Sequence, residues 1–125
     1  MNFYETLRKQ DINIAAAGDN TVITIGQGEM PAGWDNAGTY IVIDHINLIP
    51  NGAVTIQFKQ GTAAEGQTNY GGAYSLNQYQ GFVLENAIRN EHGIITLAPN
   101  KSFVINLSGA VQVSGFIRYR LVDTN

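Results

Sequence analysis

The chain reads as an all-β protein, an antiparallel sandwich of two sheets with jelly-roll or Greek-key connections. Three observations predict this. Apolar and polar residues alternate with a period of two through most of the 125 residues. Clusters of Gly, Pro, Asn and Asp break those runs at short intervals. No internal segment spaces its apolar residues for a helix. About eight short strands in one domain fit a sandwich, with a closed barrel as the alternative. A chain this long is sensibly a single domain and buries roughly two-thirds of its unfolded surface.

The first eleven residues, MNFYETLRKQD, are the one segment with a possible helical reading, through Phe3, Tyr4 and Leu7. Three turns without a cap are marginal alone. Residues 1–11 are therefore either a frayed terminus or an arm that orders on a neighbouring subunit, and the sandwich proper spans 12–125. Ile12, Ile14 and Ala16 begin the alternation, Gly18-Asp19-Asn20 supplies a turn, and Thr21–Gly26 is a short strand. Gln27–Gly38, which holds Trp34, is a loop by its Gly, Pro, Asp and Asn content.

Thr39–Ile49 (TYIVIDHINLI) is the most hydrophobic strand, apolar on both faces around Ile41–Ile43 and so expected to be central. Asn51-Gly52 reads as a hairpin turn into Ala53–Gln60, with Val54, Ile56 and Phe58 inward and Thr55, Gln57 and Lys59 outward. Gly61–Gly81 is a Gly/Asn/Gln/Tyr-rich excursion with one short strand near Ala73–Leu76. Phe82–Leu84 and Ile94–Leu97 are further short strands, and Pro99-Asn100 turns the chain.

The last run reads as a hairpin, Ser102–Ser108 and Ala110–Val122 joined at Ser108-Gly109. Phe103, Ile105 and Leu107 share one face. Val111, Val113, Ile117, Tyr119 and Leu121 share another, opposite Gln112, Ser114, Arg118 and Arg120. Gly115 marks a bulge or a close approach.

Composition narrows the function. Only 14% of residues are charged and the net charge is −3, with no basic run, so no concentrated face is offered to nucleic-acid phosphates. The chain has no Cys, which removes disulfides, thiolate metal sites and Cys nucleophiles. No apolar run reaches membrane-spanning length, and the N-terminal residues lack the core of a secretory signal. The expectation is a chain made in a cytosol that stays there or leaves by cell lysis or a signal-free route.

Reactive constellations are weak. Asp44-His45 and Glu91-His92 would hold a divalent ion only if both sites met in space, and neighbours on a strand point to opposite faces. No metal and no cofactor is therefore expected. Ser75, Ser102, Ser108 and Ser114 lie in strands or turns without a nucleophile elbow, and no pair stands out among ten Asp and Glu. Gly26-Gln27-Gly28 opens no helix, so it is a turn and not a phosphate loop.

The aromatics carry more. Tyr70, Tyr74, Tyr79 and Phe82 cluster in the polar excursion, with Trp34 in another loop. Tyr among Gly, Ser and Asn suits a protein interface or a sugar-binding platform, or the rings simply close the sandwich. Arg118 and Arg120 form a soluble face bridged to Glu85 or Asp44, or an ion pair across a subunit boundary.

Over 16–122, the segments TYIVIDHINLIPNGAVTIQFKQGT and LAPNKSFVINLSGAVQVSGFIRYRLV resemble small β-sandwich structural proteins of tailed bacteriophages. The shared features are a hydrophobic strand leading through a polar turn into V-T-I-x-F-K-x-G-T, and a closing F-V-I-N-L-S-G-A-V-x-V-S-G-F-I-x-Y at Phe103–Tyr119. The resemblance implies a capsid decoration, or cement, protein: non-enzymatic, homotrimeric, and bound to the major capsid protein on the outside of the virion head. It would be made in the host bacterial cytoplasm and engage neither nucleic acid nor membrane. The contact residues expected on this reading are Phe3, Tyr4 and Leu7 in the arm and Trp34, Tyr70, Tyr74 and Tyr79 in loops. A carbohydrate- or receptor-binding tail or head-fibre domain is the alternative, and a small jelly-roll hydrolase ranks last.

Overall fold

Two antiparallel sheets face each other across an aliphatic core in the computed structural model, which describes residues 3–4, 8–25, 38–85 and 93–123. The first sheet contains β1 (Phe3–Tyr4), β2 (Arg8–Ile14), β4 (Thr39–Pro50), β7 (Phe82–Glu85), β8 (Ile95–Thr96) and β10 (Val113–Asp123). The second contains β3 (Gly18–Ile23), β5 (Val54–Gln60), β6 (Thr68–Leu76) and β9 (Phe103–Leu107). In the first sheet β10 and β4 are central. Strands β1 and β2 share the outer edge of β10, and β7 and β8 share that of β4. The second sheet runs β3-β9-β5-β6. The sheets stay open and form a sandwich, not a barrel. The described helix is one 3₁₀ turn, Ala63–Glu65, and among the described residues no helix is long and apolar enough to cross a membrane.

The inward residues follow the period of two. Val54, Ile56 and Phe58 from β5, Phe103, Ile105 and Leu107 from β9, and Val113, Ile117, Tyr119 and Leu121 from β10 are all buried. Each such aliphatic or aromatic side chain contributes about 1.5–3 kcal/mol by leaving water. As expected, β4 is covered on both sides: Ile41, Val42 and Ile43 are all fully buried.

The connections differ from the sequence reading. Asn51-Gly52 does not close a hairpin, because β4 lies in the first sheet and β5 in the second. Ser108-Gly109 likewise joins β9 and β10 in opposite sheets. Both are arches across the core, and they bond to each other. Asn51 N–H donates to Gln112 O at 2.8 Å, Ser108 N–H to Thr55 O at 3.0 Å, and Thr55 N–H to Ser108 Oγ at 2.9 Å. An alternating pattern fixes which face of a strand is buried but not which sheet it joins. Among sequential strands only β5 and β6 are hydrogen-bonded neighbours.

Three further boundaries move. Residues 8–11 are not helical, since β2 starts at Arg8 and runs antiparallel to β10; the arm limit at Asp11 falls inside that strand. Gly18-Asp19-Asn20 is the start of β3 and not a turn. The polar excursion holds a nine-residue strand, Thr68–Leu76, where a shorter one is expected. The Tyr70–Gly72 segment bulges opposite Phe58, with Gly71 at φ 72°. Gln57 Nε2 fills the bulge, donating to Phe58 O at 2.9 Å and Gly71 O at 3.1 Å. A bulge of this kind blunts the exposed edge of the sheet.

A second bulge shapes β4. The ladder with β10 passes from Arg118↔His45 to Tyr119↔Ile43, leaving Asp44 as the extra residue. Ile41 and Ile43 therefore stay inward on the same side as Ile46 and Leu48, and both Asp44 and His45 lie on the outer side. The expectation that these two neighbours point to opposite faces is corrected by this bulge.

Candidate functional site

The two outer faces of the sandwich are built differently. On the second sheet the polar groups satisfy one another around Asp19. Its carboxylate accepts from Asn106 Nδ2 at 2.7 Å and Gln67 Nε2 at 2.9 Å, and pairs with Lys59 Nζ at 3.2 Å. Close by, Glu65 pins the 3₁₀ turn to the start of β9. It accepts from Thr62 N–H at 2.9 Å and from Ser102 N–H and Oγ at 3.0 Å each, and Lys101 Nζ donates to the Glu65 carbonyl. The fully buried Ser102 hydroxyl also accepts from Ile25 N–H at 3.1 Å. These groups are committed to the fold.

The same bonds make stability depend on acidity. Hydrogen bonds from Asn106 and Gln67, with the Lys59 charge, hold the Asp19 carboxyl below its ordinary value. Burial raises that of Glu65, but the bonds from Ser102 and Thr62 and the Lys101 charge outweigh it and lower the value. Both groups bind a proton less readily folded than unfolded, so their contribution is whole above the ordinary carboxyl range of about 4. It is lost as pH falls through their depressed folded values. Thermal melts between pH 7 and pH 2 should show Tm falling below about pH 4, and Glu65→Gln should flatten part of that fall. An unchanged acid slope in that variant would count against the assignment.

The outer face of the first sheet is different. The registers of β2, β10, β4 and β7 place its outward residues in rows. Asn13, Ser114 and Ile49 form one, Asp11, Phe116, Asn47 and Val83 the next, and Lys9, Arg118, His45 and Glu85 the third. Ile49 is 48% exposed and Val83 54%. Phe116 stacks on the His45 ring at 5.3 Å with planes 9° apart, and Lys9 Nζ and the Arg118 guanidinium lie 5.3 and 5.7 Å from its centroid. Lys9 pairs with Asp11 at 3.3 Å and His45 Nδ1 lies 3.6 Å from Glu85. Arg118 makes no ion pair among the described residues. Beyond this row, the bulged Asp44 accepts from Arg120 Nη1 at 2.6 Å, so the bridge expected between the β10 arginines and Asp44 is formed by Arg120. The solvent side of an antiparallel sheet ordinarily turns polar. Here Ile49, Val83 and Phe116 interrupt an otherwise polar set of rows, and Phe116 is the ring of the aromatic–cation stack.

The residues singled out by sequence are dispersed. Phe3 and Tyr4 form β1, paired with Asp123 and Val122 of β10. Leu7, Trp34, Glu91 and His92 lie outside the described residues. Tyr70 is half-buried, and its hydroxyl accepts from Thr96 N–H at 3.4 Å, tying β6 to β8 of the opposite sheet. Tyr74 packs on Phe82 at 4.7 Å and on Phe58 at 5.8 Å. These two rings close one side of the sandwich. Tyr79 stands apart and is 67% exposed.

Among the described residues no group of three or more His, Asp or Glu is arranged to hold a metal ion. Three of the serines have structural partners. Ser75 Oγ is 3.2 Å from Thr55 Oγ1, Ser102 is bound to Glu65, and Ser108 to the β5 backbone. Sequence reasoning passed over Phe116, Ile49 and Val83. The available signal was an apolar residue at an outward place in each alternation, most plainly Phe116 between Ser114 and Arg118.

No protein-family model matches the chain, and no curated protein is similar enough to mark a relative.

Proposed function

We propose that this is a non-enzymatic virion structural protein, a capsid decoration protein that lies on the outside of a tailed-phage head as a homotrimer and staples neighbouring capsid subunits. One observation supports the reading above the others: the outer face of the first sheet leaves Ile49 and Val83 exposed, with Phe116 half-buried between His45 and the Lys9 and Arg118 side chains. Apolar side chains left on an outer sheet face and rimmed by polar ones suit a place where another protein packs. The aromatic ring and the arginine beside it are the residue types that dominate interface energy. The work required is mechanical. A clamp that bridges subunits raises the barrier to their separation, and many copies of modest strength achieve this together. A standard contact of about 1,600 Å² is within reach of one sheet face and the N-terminal residues.

Co-sedimentation of the purified protein with empty phage heads, with light scattering for its oligomeric state, tests the reading. Wild type should pellet with the heads and run as a trimer. Phe116→Asp, which leaves the inward face of β10 untouched, should weaken head binding about tenfold or more, as loss of an interface hot spot does. A truncation probing the N-terminal residues has to stop before Arg8, where β2 begins. A monomer that stays in the supernatant at every concentration would reject the proposal.

A further inference from the structure

We propose that the recess at the arch end of the sandwich is a binding site for a neutral saccharide, with the exposed Tyr79 ring as its stacking platform. The recess has a volume of about 320 Å³ and is lined by Ile49, Pro50, Asn51, Tyr79, Gln112 and Ser114. Three separate connections converge there: Asn51 from the β4–β5 arch, Gln112 from the β9–β10 arch and Tyr79 from the β6–β7 link. Loops gathered at one end of a rigid sandwich are where this architecture places its ligands.

Tyr79 carries the argument. It has a left-handed backbone, with φ 59°, which is unfavourable for a bulky side chain and is usually left to glycine. The turn is nonetheless fixed. Tyr79 N–H donates to Pro50 O at 2.8 Å, Gln80 N–H to Asn77 O at 3.1 Å, and Gln78 Nε2 to Asn51 O at 3.3 Å. The ring so held is mostly exposed and seals no core. Backbone strain kept at an exposed aromatic points to a role outside folding.

The rest of the lining selects the ligand. The lining holds no Asp, Glu, Lys, Arg or His, so a charged ligand finds no counter-charge there. Ile49, Pro50 and the tyrosine ring offer apolar surface. The Asn51 side-chain amide and the Ser114 hydroxyl make no hydrogen bond among the described residues. Gln112 Nε2 donates to Asn13 Oδ1 at 2.8 Å, which leaves the side-chain oxygen Oε1 to accept. An apolar wall with a few amide and hydroxyl groups suits a pyranose, which has a C–H face and a rim of hydroxyls. The recess shares Ile49 with the face proposed to meet the capsid, but sugar binding by the isolated chain needs no partner protein and can be read separately.

Saturation-transfer NMR of the full chain against methyl glucoside, methyl galactoside and N-acetyllactosamine, with glucuronate as the charged comparison, tests the proposal. At least one neutral sugar should receive saturation and glucuronate should not. Tyr79→Gly removes the ring and relieves the backbone, so it should weaken binding by at least about tenfold while Tm holds or rises. Ser114→Ala, at a hydroxyl the fold does not use, should also weaken binding. The proposal is overturned by silence from every neutral sugar at millimolar concentration, by undiminished binding to Tyr79→Gly, or by a clear fall in Tm in that variant, which would give the ring to folding.

Discussion

Gly115→Ala is expected to abolish the native fold. Gly115 sits in β10 with φ 151°, paired with Leu48 of β4 on one side and Ile12 of β2 on the other. A methyl group built there would lie 1.8 Å from the Asn47 carbonyl oxygen and 3.1 Å from Leu48 Cα. Those are backbone atoms of the neighbouring central strand, and no rotamer change moves them. Relief requires pulling β10 away from β4, the ladder on which the first sheet depends. Overpacking in a core costs about 1–3 kcal/mol when side chains can yield. With backbone as the obstacle the loss should reach the exceptional range of about 4–5 kcal/mol or more, comparable with the whole stability of a small domain. Circular dichroism and urea titration would show it. Gly109→Ala, where nothing lies within 4 Å of the added carbon, is the matched control and should melt within a few degrees of wild type. A folded Gly115→Ala protein with near-native Tm would disprove the account of this contact.

The second large effect is Phe58→Ala. Phe58 is 1% exposed and touches three rings from three strands: Phe103 of β9 at 5.6 Å, Tyr74 of β6 at 5.8 Å and Phe82 of β7 at 5.9 Å. Phe82 belongs to the opposite sheet, so this ring is where the two layers interlock. Truncation removes the transfer energy of the ring and leaves a cavity that flanking strands cannot fill, a loss of about 3–5 kcal/mol. The Tyr74–Phe82 pair loses its floor as well, so hydrogen exchange should quicken first in β6 and β7. Urea unfolding gives the total and exchange gives the location. A loss below about 1.5 kcal/mol, the range of a volume-conserving swap, would show that the site collapses freely.

The class of fold was legible because alternation is a local property. Val54, Ile56 and Phe58, or Phe103, Ile105 and Leu107, declare a buried face without reference to anything else. Strand partnership was not legible, because it depends on residues far along the chain. Asn51-Gly52 has the composition of a hairpin turn and serves as an arch, since the covered faces of β4 and β5 have to meet across the core. The Asp44 bulge could have been read: Ile41, Ile43, Ile46 and Leu48 share a side only if two residues between Ile43 and Ile46 face outward together.

The candidate surfaces were partly visible. Tyr79 stands among the aromatics of the polar excursion, but its separation from Tyr70 and Tyr74 follows from where β6 ends. Phe116 is inconspicuous in the sequence because the neighbouring Ile117 carries the inward register of β10. Its significance appears only when β2, β4 and β7 are set beside it and a row of outward residues emerges.

The pairing of β2 with β10 also constrains the order of events during synthesis. Strand β10 fills the place between β2 and β4, yet it is made after both of them. Until then both earlier strands carry unpaired backbone, and only the β5–β6 hairpin is complete from neighbouring sequence. Distant pairings of this kind are slow to form. The first sheet is therefore completed late, and a chain that still lacks β10 is the form that most needs shielding from its own exposed edges.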